Sequence, residues 1–386
     1  MLQHFRKPCK ASFILGGQWG SEGKGAAAAF TALKCGDFDI ATTNAGAQAG
    51  HTSTHNGVTK VVFHLPTYAL YQPAFTYLNA GSIIDPVGLL RELDENPQIV
   101  KNGFAIHPNA AIITQECKDA EGRDDSAQTR IASTRKGVGE ALSRKVLRSG
   151  VLAKDLKTAG SWWTTKPVST LHNFVRRLDL NDEMRKGKSV LVEVPQGHSL
   201  SIDGPFYPHT TSRNCTVMQG MSDAGIHPSF YHRSMLVIRT FPIRVGNIER
   251  PVGQDGCGTG YEKIGYSGDC FPDQWEVSWE QLGQKPEITT VTKRVRRVFT
   301  FSEEQVMQAI AQTRPAVIYL TFCDYLPFTP AETAREMQSD QHKYAKAMVA
   351  KLREMCARVG SICNDGPEIL TQWGPTTADV IRAEDL

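Results

Sequence analysis

The chain has 386 residues, 40% hydrophobic and 22% charged, a composition typical of a soluble globular protein with a sizeable core. Its formal net charge of +3 does not indicate nucleic-acid binding, and the lack of a signal peptide or long apolar segment argues against a membrane partner. Nine cysteines, scattered singly without a C-x-x-C pair, favour reduced thiols over disulfides, so we expect a cytoplasmic protein.

Short apolar runs rich in β-branched residues alternate with helical patterns along the chain. The predicted buried strands are Ser12–Leu15, Phe38–Thr42, Val61–Leu65, Val190–Val194, Met235–Ile238 and Val317–Leu320. The predicted helices are Glu22–Lys34, Pro86–Leu93, Glu303–Gln312 and Pro330–Val359, with a capping box at Ser302 and Gln305. This alternation predicts an α/β fold with a mainly parallel central sheet flanked by helices.

No internal repeat or long linker divides the chain, so we expect a single domain over residues 1–386. The glycine-rich stretch Gln254–Pro286 shows little periodicity. It predicts an irregular subdomain at about residues 247–288 rather than a linker.

The first motif, FILGGQWGSEGKG at Phe13–Gly25, combines a strand, a glycine-rich loop and the start of a helix. Backbone N–H groups of such a loop bind phosphate, and Lys24 would add a positive charge over the β- and γ-phosphates. The spacing departs from the usual P-loop, and Gly25 replaces the Ser or Thr that holds Mg²⁺ there. The alternative is a tight turn that needs glycine only for steric reasons.

The run GGQWGSEGKG resembles the glycine-rich loop of adenylosuccinate synthetases. Other blocks of that family follow in family order and cover nearly the whole chain. They are NAGAQAGHT (Asn44–Thr52), HLP (His64–Pro66), STRKGVG (Ser133–Gly139), VPQG (Val194–Gly197), TVTKRVRR (Thr290–Arg297) and WGP (Trp373–Pro375). The resemblance implies the P-loop-NTPase-like fold of that family.

The resemblance also implies a ligase that joins L-aspartate to the 6-position of a purine nucleotide, with Mg²⁺ as cofactor. Because oxide is a poor leaving group, the family first phosphorylates O6, and the amino group of aspartate then displaces phosphate. Such an enzyme needs a triphosphate cradle, a metal, charge stabilisation at O6, a clamp for the 5′-phosphate and a carboxylate-binding loop.

Catalytic roles carried over by the resemblance fall on Ser21, Lys24 and His51. His51 matches an acid near the γ-phosphate and O6, although a lone histidine is more often structural. The backbone carbonyl of Gly50 and the side chain at position 21 match the Mg²⁺ ligands. The implied triphosphate site comprises Gly20, Glu22, Gly23, Lys24, Gly25, Gly50, His51, Thr52, Arg296, Asp324, Gln372, Gly374 and Pro375.

The implied site for the purine monophosphate also draws on separate blocks. Its residues are Ser21, Gln48, Ser133, Thr134, Arg148, Gln196 and Thr211. Arg148 matches an arginine that reaches the 5′-phosphate from the partner subunit, which implies a homodimer. From the charge pattern alone, Arg144, Lys145 and Arg148 would instead form a solvated helix face. Gln48 stands where the family has the shorter asparagine.

The segment Thr289–Arg297 resembles the loop that binds aspartate. The residues matched to its carboxylates are Thr290, Thr292 and Arg294, while Arg296 matches a group close to the triphosphate and ribose. Taken alone, the alternating basic residues are equally consistent with an exposed strand face.

Position 21 is the main departure from the family, because Ser21 replaces the aspartate that takes the N1 proton of hypoxanthine and binds Mg²⁺. A serine hydroxyl is a poor base and a weaker metal ligand. Guanine carries an amino group beside N1, for which serine leaves room and supplies an acceptor. The same substitution resembles that of phage-encoded 2-aminoadenylosuccinate synthetases, which implies dGMP as the acceptor.

The nucleoside site departs as well, because TFCD places Phe322 where the family has lysine, with Asp324 retained, and QWGP (Gln372–Pro375) replaces STGP. Aromatic stacking discriminates bases weakly, so we expect ATP or dATP rather than strict GTP use. Phe322 and Trp373 could instead merely pack under a loop. The region between Gly150 and Ser189 is compressed, which fits a compact archaeal or phage form.

Three hypotheses follow from these residues. The first is a ligase acting on dGMP, L-aspartate and ATP or dATP, which makes the 2-amino-2′-deoxy analogue of adenylosuccinate for diaminopurine DNA synthesis. The second is an ordinary adenylosuccinate synthetase using IMP and GTP, which Ser21 counts against. The third is a catalytically inactive nucleotide-binding homologue, against which the retained Lys24, His51, Gln196, Thr292 and Arg294 argue.

Overall fold

The computed structural model describes residues 2, 4–157, 168–252, 260–289, 292–326, 334–360 and 366–386. Its strands are β1 (Ala11–Gly16), β2 (Ile40–Thr43), β3 (His51–His55), β4 (Val58–Val62), β5 (Phe75–Leu78), β6 (Ile83–Ile84), β7 (Phe104–Ile106), β8 (Ala111–Ile112), β9 (Val190–Gly197), β10 (Tyr231–Arg239), β11 (Ile243–Arg244), β12 (Ile248–Val252), β13 (Gly260–Gly265), β14 (Glu276–Val277), β15 (Arg297–Phe299), β16 (Val317–Thr321), β17 (Glu368–Gln372) and β18 (Val380–Arg382). Its helices are α1 (Lys24–Lys34), α2 (Pro86–Glu95), α3 (Gln98–Lys101), α4 (Gln115–Gly122), α5 (Ala127–Arg130), α6 (Val138–Val146), α7 (Leu180–Arg185), α8 (Val217–Ala224), α9 (Glu303–Thr313) and α10 (Ala334–Val359).

In the described part of the chain, nine strands form one central sheet in the order β18-β17-β16-β10-β1-β9-β2-β5-β7. β18 pairs antiparallel with β17, and the other neighbours pair in parallel. A parallel sheet is buried on both faces, which explains the continuous apolar runs Met235–Ile238 in β10 and Val317–Leu320 in β16. The predicted α/β fold with a mainly parallel sheet is confirmed.

Side chains of successive strand residues alternate between two hydrophobic cores. In β1, Ile14 packs in the core that includes α1, whereas Phe13 and Leu15 pack in the core that includes α8, α9 and α10. Both cores consist of buried aliphatic and aromatic residues. The sheet is thereby fixed between two helical layers and provides a rigid base for the site.

The carboxyl ends of the parallel strands lie along one edge of the sheet, where α/β proteins bind ligands. β1 lies between β9 and β10, and its last residue, Gly16, is in register with Gly197 and Val237. The glycine-rich loop follows β1, VPQG ends β9, and TFCD begins at the last residue of β16. The topology therefore brings together motifs that are far apart in sequence.

The predicted buried strand at Val61–Leu65 is wrong. Its first two residues end β4, which pairs antiparallel with β3 in a hairpin outside the central sheet. Asn56 and Gly57 both have positive φ, as a two-residue hairpin turn of this type requires. Val61 is exposed, whereas Val62 and Leu65 are buried, so the run ends a surface hairpin and then enters the core without continuing as a strand.

Element boundaries also differ from expectation. α1 begins at Lys24 rather than Glu22, because Gly23 is left-handed and ends the loop there. Ser302 caps α9 by accepting the Gln305 N–H at 2.9 Å, but the Gln305 side chain donates to Ser199 instead of closing a capping box. The predicted start of α10 at residues 330–333 lies outside the described residues.

The stretch predicted to be irregular contains regular pairs. β12 and β13 pair antiparallel, and β14 pairs with β15. Residues 253–259 lie outside the described part of the chain. Local composition underestimates the regular structure of this region. Its strands are short and pair with each other or with β15 and not with the central sheet, so they lack the long apolar runs of buried strands.

The seven cysteines within the described ranges are free, and Cys117, Cys215, Cys323 and Cys356 are buried. The expectation of reduced thiols therefore holds for these seven. Among the described residues, no helix is both long enough and apolar enough to cross a membrane.

Candidate active site

A cavity of about 540 Å³ lies at the carboxyl edge of the sheet, and most residues predicted to bind substrates line it. These are Gly20, Ser21, Gly23, Lys24, Gly25, Gln48, Gly50, His51, Thr52, Ser133, Thr134, Gln196, Thr211, Arg296, Asp324, Gln372, Gly374 and Pro375. Glu22, Arg148, Thr292 and Arg294 do not line it, and Thr290 lies outside the described residues.

The glycine-rich loop is ordered by a buried carboxylate beneath it. Glu22 is fully buried, and its Oε1 accepts the backbone N–H of Gln18 at 3.0 Å and that of Gly20 at 2.7 Å. Its Oε2 accepts from Lys24 Nζ at 2.7 Å. Glu22 therefore supports the loop and holds the lysine instead of facing the cavity, which corrects its assignment as a direct triphosphate contact.

Two glycines permit close backbone contacts at the loop. A Cβ on Gly25 would lie 2.9 Å from the backbone N of Thr52, so β3 passes too close to α1 for a side chain. This contact explains why Gly25 replaces the Ser or Thr of an ordinary P-loop. A Cβ on Gly197 would lie 2.5 Å from the backbone N of Gly20 and would also meet Glu22.

His51 begins β3 and lines the cavity as a buried, neutral imidazole. Burial, together with the positive charge of Lys24, lowers the pKa of His51 to about 3. Its Nε2 is buried and has no hydrogen-bond partner among the described residues. Buried polar atoms are nearly always satisfied, so this nitrogen is available to a bound ligand.

Ser21 is held by two arginines at the cavity wall. Its hydroxyl accepts from Arg296 Nη1 at 2.5 Å, and its backbone carbonyl accepts from Arg239 Nη1 at 3.2 Å. Ser21 has a φ of 58°, in the left-handed region that non-glycine residues seldom adopt. These two contacts hold Ser21 in that conformation, with its side chain exposed to the cavity.

Glu287 joins both arginines and was not found from the sequence. Its Oε1 accepts from Arg239 Nη2 at 2.6 Å and from the Tyr325 hydroxyl at 2.9 Å, and Oε2 lies 3.7 Å from Arg296 Nε. Burial is the largest single effect and opposes the charged form of Glu287, but Arg239, Arg296 and Tyr325 together outweigh it and lower the pKa of this carboxyl. The sequence marks Arg239 as a charged residue that directly follows the apolar run Met235–Ile238. No comparable pattern marks Glu287.

The two aromatic residues predicted at the nucleoside site, Phe322 and Trp373, differ in position. Phe322 lines the cavity, and its ring centroid lies 3.8 Å from the guanidinium carbon of Arg239. Burial raises the pKa of Asp324, which lines the cavity beside it. Trp373 does not line the cavity; its ring packs on His342 at 4.8 Å. The packing alternative therefore describes Trp373 and not Phe322.

The loop that carries Ser133 and Thr134 is fixed by another buried carboxylate. Glu121 accepts the backbone N–H of Gly137 at 2.7 Å and that of Glu140 at 3.0 Å, at the start of α6. Burial raises the pKa of Glu121. Sequence reasoning missed this residue, because a single glutamate on a polar helix has no distinguishing pattern.

Gln48 and Gln196 lie on other parts of the cavity wall. Gln48 Oε1 is buried and unpartnered within the described ranges, so the longer side chain reaches a position that a ligand donor can satisfy. Gln196, the second-last residue of β9, has a φ of 66° and lines the cavity near Gly20.

Arg294 does not line the cavity, and its guanidinium group is hydrogen-bonded to other groups of the protein. Its Nη2 donates to the carbonyls of Ala132 and Ser133 at 2.9 and 3.0 Å, and its Nε donates to Thr292 Oγ1 at 3.1 Å. Burial and the charge of Arg135 lower the pKa of Arg294 to about 10. The guanidinium thus links the predicted aspartate loop to the loop that carries Ser133.

Arg148 lies on the surface at the end of α6 and does not reach this chain's cavity. It follows Val146 and Leu147, whose side chains are 67% and 71% exposed. The solvated helix face considered as the alternative describes only Arg148, because Arg144 pairs with Glu116 and Glu140 and Lys145 donates to the carbonyl of Ala80.

The protein offers few metal ligands at the cavity. The described residues contain no group of three or more His, Cys, Asp or Glu side chains placed to hold a metal ion. Glu22 and Glu287 are both occupied by cationic groups, and a guanidinium already donates to the Ser21 hydroxyl. This donor set suits Mg²⁺ that arrives with a triphosphate and keeps mainly phosphate and water oxygens. It does not favour Ser21 as a ligand.

Comparison with known proteins identifies the family. The family model described as adenylosuccinate synthetase matches residues 13–173 and 168–330. The chain is 33% identical over 380 residues to N6-succino-2-amino-2′-deoxyadenylate synthase of Vibrio phage phiVC8, which covers 96% of this chain and 97% of that relative. It is also 33% identical over 332 residues to the enzyme of the same description from Salmonella phage PMBT28, covering 82% and 86%.

A solved structure matches the fold as well. The succinoaminodeoxyadenylate synthetase of cyanophage S-2L, bound to dGMP and dATP as an energy donor, superposes with a TM-score of 0.75 at 29% identity. The match covers 97% of this chain and 95% of that chain. The predicted likeness to the phage branch is thus confirmed by sequence and by structure. The chain belongs to the adenylosuccinate synthetase family, whose members are ligases that form a C–N bond.

Proposed function

We propose that this protein condenses L-aspartate with the 6-position of dGMP, driven by hydrolysis of ATP or dATP to the diphosphate and phosphate. The reaction passes through a 6-phosphoryl intermediate and gives 2-amino-2′-deoxyadenylosuccinate, a precursor for diaminopurine DNA. The observation that carries this proposal is Ser21, which lines the cavity where an ordinary member has aspartate. The similarity to phage enzymes named for this product supports the same acceptor.

The hydrogen bonds of Ser21 favour guanine over hypoxanthine. A hydroxyl has one donor and two acceptor sites, and Arg296 uses one of the acceptor sites. The remaining lone pair can accept from the 2-amino group, which hypoxanthine lacks. Guanine and hypoxanthine both carry a proton on N1 that must leave when O6 is phosphorylated, and the carboxylates of Glu22 and Glu287 are already held by cationic partners. The preference for dGMP therefore rests on the contact with the 2-amino group.

His51 and Lys24 are the groups placed to act at the phosphoryl oxygen. In the free protein His51 is neutral, but a bound triphosphate brings negative charge that offsets burial and the charge of Lys24, and so raises its pKa. His51 can then protonate and donate from Nε2 to an oxygen that develops charge. This retained pair argues against an inactive homologue.

Mg²⁺ would be held by the backbone carbonyl of Gly50, together with phosphate and water oxygens. When bound, it neutralises charge on the transferred phosphoryl group. Ser21 is left out of this set, because Arg296 already donates to its hydroxyl.

The aspartate loop would bind its substrate when Arg294 exchanges hydrogen bonds within the protein for hydrogen bonds to a substrate carboxylate. Arg294 donates to main-chain carbonyls, which are weaker partners than a carboxylate. A substrate carboxylate would therefore compete well for this guanidinium, with Thr292 and Thr290 alongside. Thr289, which bonds to Thr292 at 2.6 Å, already lines the cavity.

Adenine is the base we assign to the triphosphate. Phe322 stacks on Arg239 and presents a ring to the cavity where a lysine would contact guanine. Asp324, Gln372, Gly374 and Pro375 complete this wall.

The functional unit would be a homodimer in the host cytoplasm. Arg148 cannot serve its own cavity from the surface position that it occupies, so its substrate phosphate would belong to a second copy. The exposed Val146 and Leu147 beside it provide apolar area for such a contact. The free cysteines suit a reducing compartment.

Phosphate release by the purified protein with Mg²⁺, L-aspartate and ATP tests the function directly. We compare dGMP, GMP and IMP as acceptors, with and without aspartate. Aspartate-dependent turnover with dGMP and little with IMP is expected, and Ser21→Asp should lower the preference for dGMP. Turnover with IMP alone would instead support an ordinary adenylosuccinate synthetase. No turnover with any acceptor would indicate an inactive homologue.

A further inference from the structure

The two arginines that hold Ser21 share a single carboxylate. Arg239 and Arg296 each contact Ser21 with one nitrogen and face Glu287 with another. Arg239 is fully buried and Glu287 is largely so. No other carboxylate oxygen lies within 4 Å of either guanidinium among the described residues.

This arrangement leaves the two guanidinium groups dependent on Glu287. The charges of Arg239 and Arg296 act on each other, since Arg239 contributes to the lowered pKa of Arg296 after the larger effect of burial. Without the carboxylate, two like charges in a poorly solvated site would repel and separate. Ser21 would lose the contact at its carbonyl, the contact at its hydroxyl, or both.

Ser21 depends on those contacts because its backbone is in an unfavourable region. A non-glycine residue at a φ of 58° persists only where its surroundings hold it. The backbone of Glu287 adds a further link, since its carbonyl accepts the Arg296 N–H at 2.9 Å. Tyr325 holds the carboxylate from the other side, with a hydroxyl contact of 2.9 Å.

We propose that Glu287 is the positioning residue for Ser21, which it orients toward the acceptor base through Arg239 and Arg296. The inference rests on the proposed function insofar as it takes dGMP as that base. Glu287 lines the cavity, but its carboxylate is taken up by Arg239, Arg296 and Tyr325, so it touches no reacting atom in this scheme. An effect through Arg296 on the triphosphate would not depend on Ser21, whereas the positioning effect does.

A double-mutant cycle between positions 287 and 21 tests the inference, with kcat/KM for dGMP as the readout. Glu287→Gln keeps the shape of the side chain but removes its charge, and we expect a loss of about tenfold or more. In a Ser21→Ala background the same change should cost only about twofold, because the group being positioned is gone. A purely structural role would give the same fold-loss in both backgrounds.

Glu276→Gln is the matched control. Glu276 pairs with Arg297 at 2.7 Å, one residue from Arg296, but contacts neither Ser21 nor Arg239. It should leave kcat/KM for dGMP within about twofold of wild type. Tyr325→Phe removes one hydrogen bond from Glu287 without changing its charge, and should show a smaller loss with the same dependence on Ser21.

The outcomes separate this inference from the proposed function. Equal losses from Glu287→Gln with and without the Ser21 hydroxyl would overturn the positioning role. If Glu287→Gln does not fold, Tyr325→Phe decides by the same comparison. A wild-type protein that uses IMP and not dGMP would refute the proposed acceptor, and the cycle run with IMP would still measure the coupling.

Discussion

The carboxylate of Glu22 lies beneath the phosphate-binding loop, with Lys24 Nζ 2.7 Å from its Oε2 and both side chains buried. The same carboxylate accepts the backbone N–H groups of Gln18 and Gly20. One buried group thus orders the loop and orients the lysine before any nucleotide binds. This preorganisation reduces the conformational cost of binding a triphosphate.

Replacing this carboxylate should cost much stability. Glu22→Gln leaves Lys24 buried without a counter-charge and directs an amide N–H toward backbone donors. We expect a loss of about 3–5 kcal/mol in the free energy of unfolding, measured by urea denaturation. Glu384→Gln is the control, because Glu384 makes an equally short 2.7 Å pair with Arg353 in which both side chains are at least half exposed. That change should cost about 0–1 kcal/mol, and equal losses would contradict the role of burial.

Gly197→Ala tests the close packing under the loop. The added methyl would lie 2.5 Å from the carbonyl of Gln18 and the backbone N of Gly20, so the loop must shift. We expect a loss of about 1–3 kcal/mol in stability and at least about tenfold weaker ATP binding, measured by calorimetry. Gly122→Ala, where the methyl meets nothing within 4 Å, should change neither quantity appreciably. Unaltered ATP affinity in Gly197→Ala would show that the loop tolerates the displacement.

The sequence predicted the fold best where the local pattern and the tertiary context agreed. Met235–Ile238 and Val317–Leu320 are apolar throughout because both faces of their strands are buried, and both lie in the sheet. Val61–Leu65 has the same apolar character but belongs largely to a hairpin and its exit, which the Asn56–Gly57 turn could have revealed. Local patterns do not distinguish these contexts.

The site shows a similar division. Site residues in motifs at strand ends, such as Gln196 in VPQG, were predicted correctly to line the cavity, because a parallel sheet brings those strand ends together. Glu287 and Glu121 were missed, since each acts through partners that only the folded chain brings near. Glu22 was placed in the correct motif but with the wrong role, because spacing does not show which way a side chain points.

His51 should make stability depend on pH. Its pKa is about 3 in the folded protein and ordinarily 6.5, so below pH 6.5 only the unfolded chain takes up the proton. Stability from this residue is complete above pH 6.5 and falls toward pH 3 by up to about 1.4 kcal/mol per pH unit. His51→Asn should lack this component when unfolding free energies are compared at pH 7, 6 and 5. Parallel pH curves for the two proteins would refute the buried neutral imidazole.

Phe322→Lys should not convert the enzyme to GTP use, although it restores the usual family residue. The new ammonium would lie against the Arg239 guanidinium, which is 3.8 Å from the present ring centroid, and the like charges would repel. We expect KM for ATP to rise by about tenfold without a gain in GTP turnover. Phe322→Tyr keeps the stacked ring and should behave like wild type. Efficient GTP use by the lysine variant would show that Arg239 does not limit this position.

Subunit mixing tests whether Arg148 completes the site of a second copy. Lys24→Ala and Arg148→Ala should each be nearly inactive, but their mixed dimer contains one site with both residues intact. Random exchange in an equal mixture should therefore restore about one quarter of wild-type activity. Lys24→Ala mixed with His51→Ala should restore none, since both residues line the cavity of the same chain. Full activity of Arg148→Ala alone, or no recovery on mixing with Lys24→Ala, would show that the surface arginine serves no partner site.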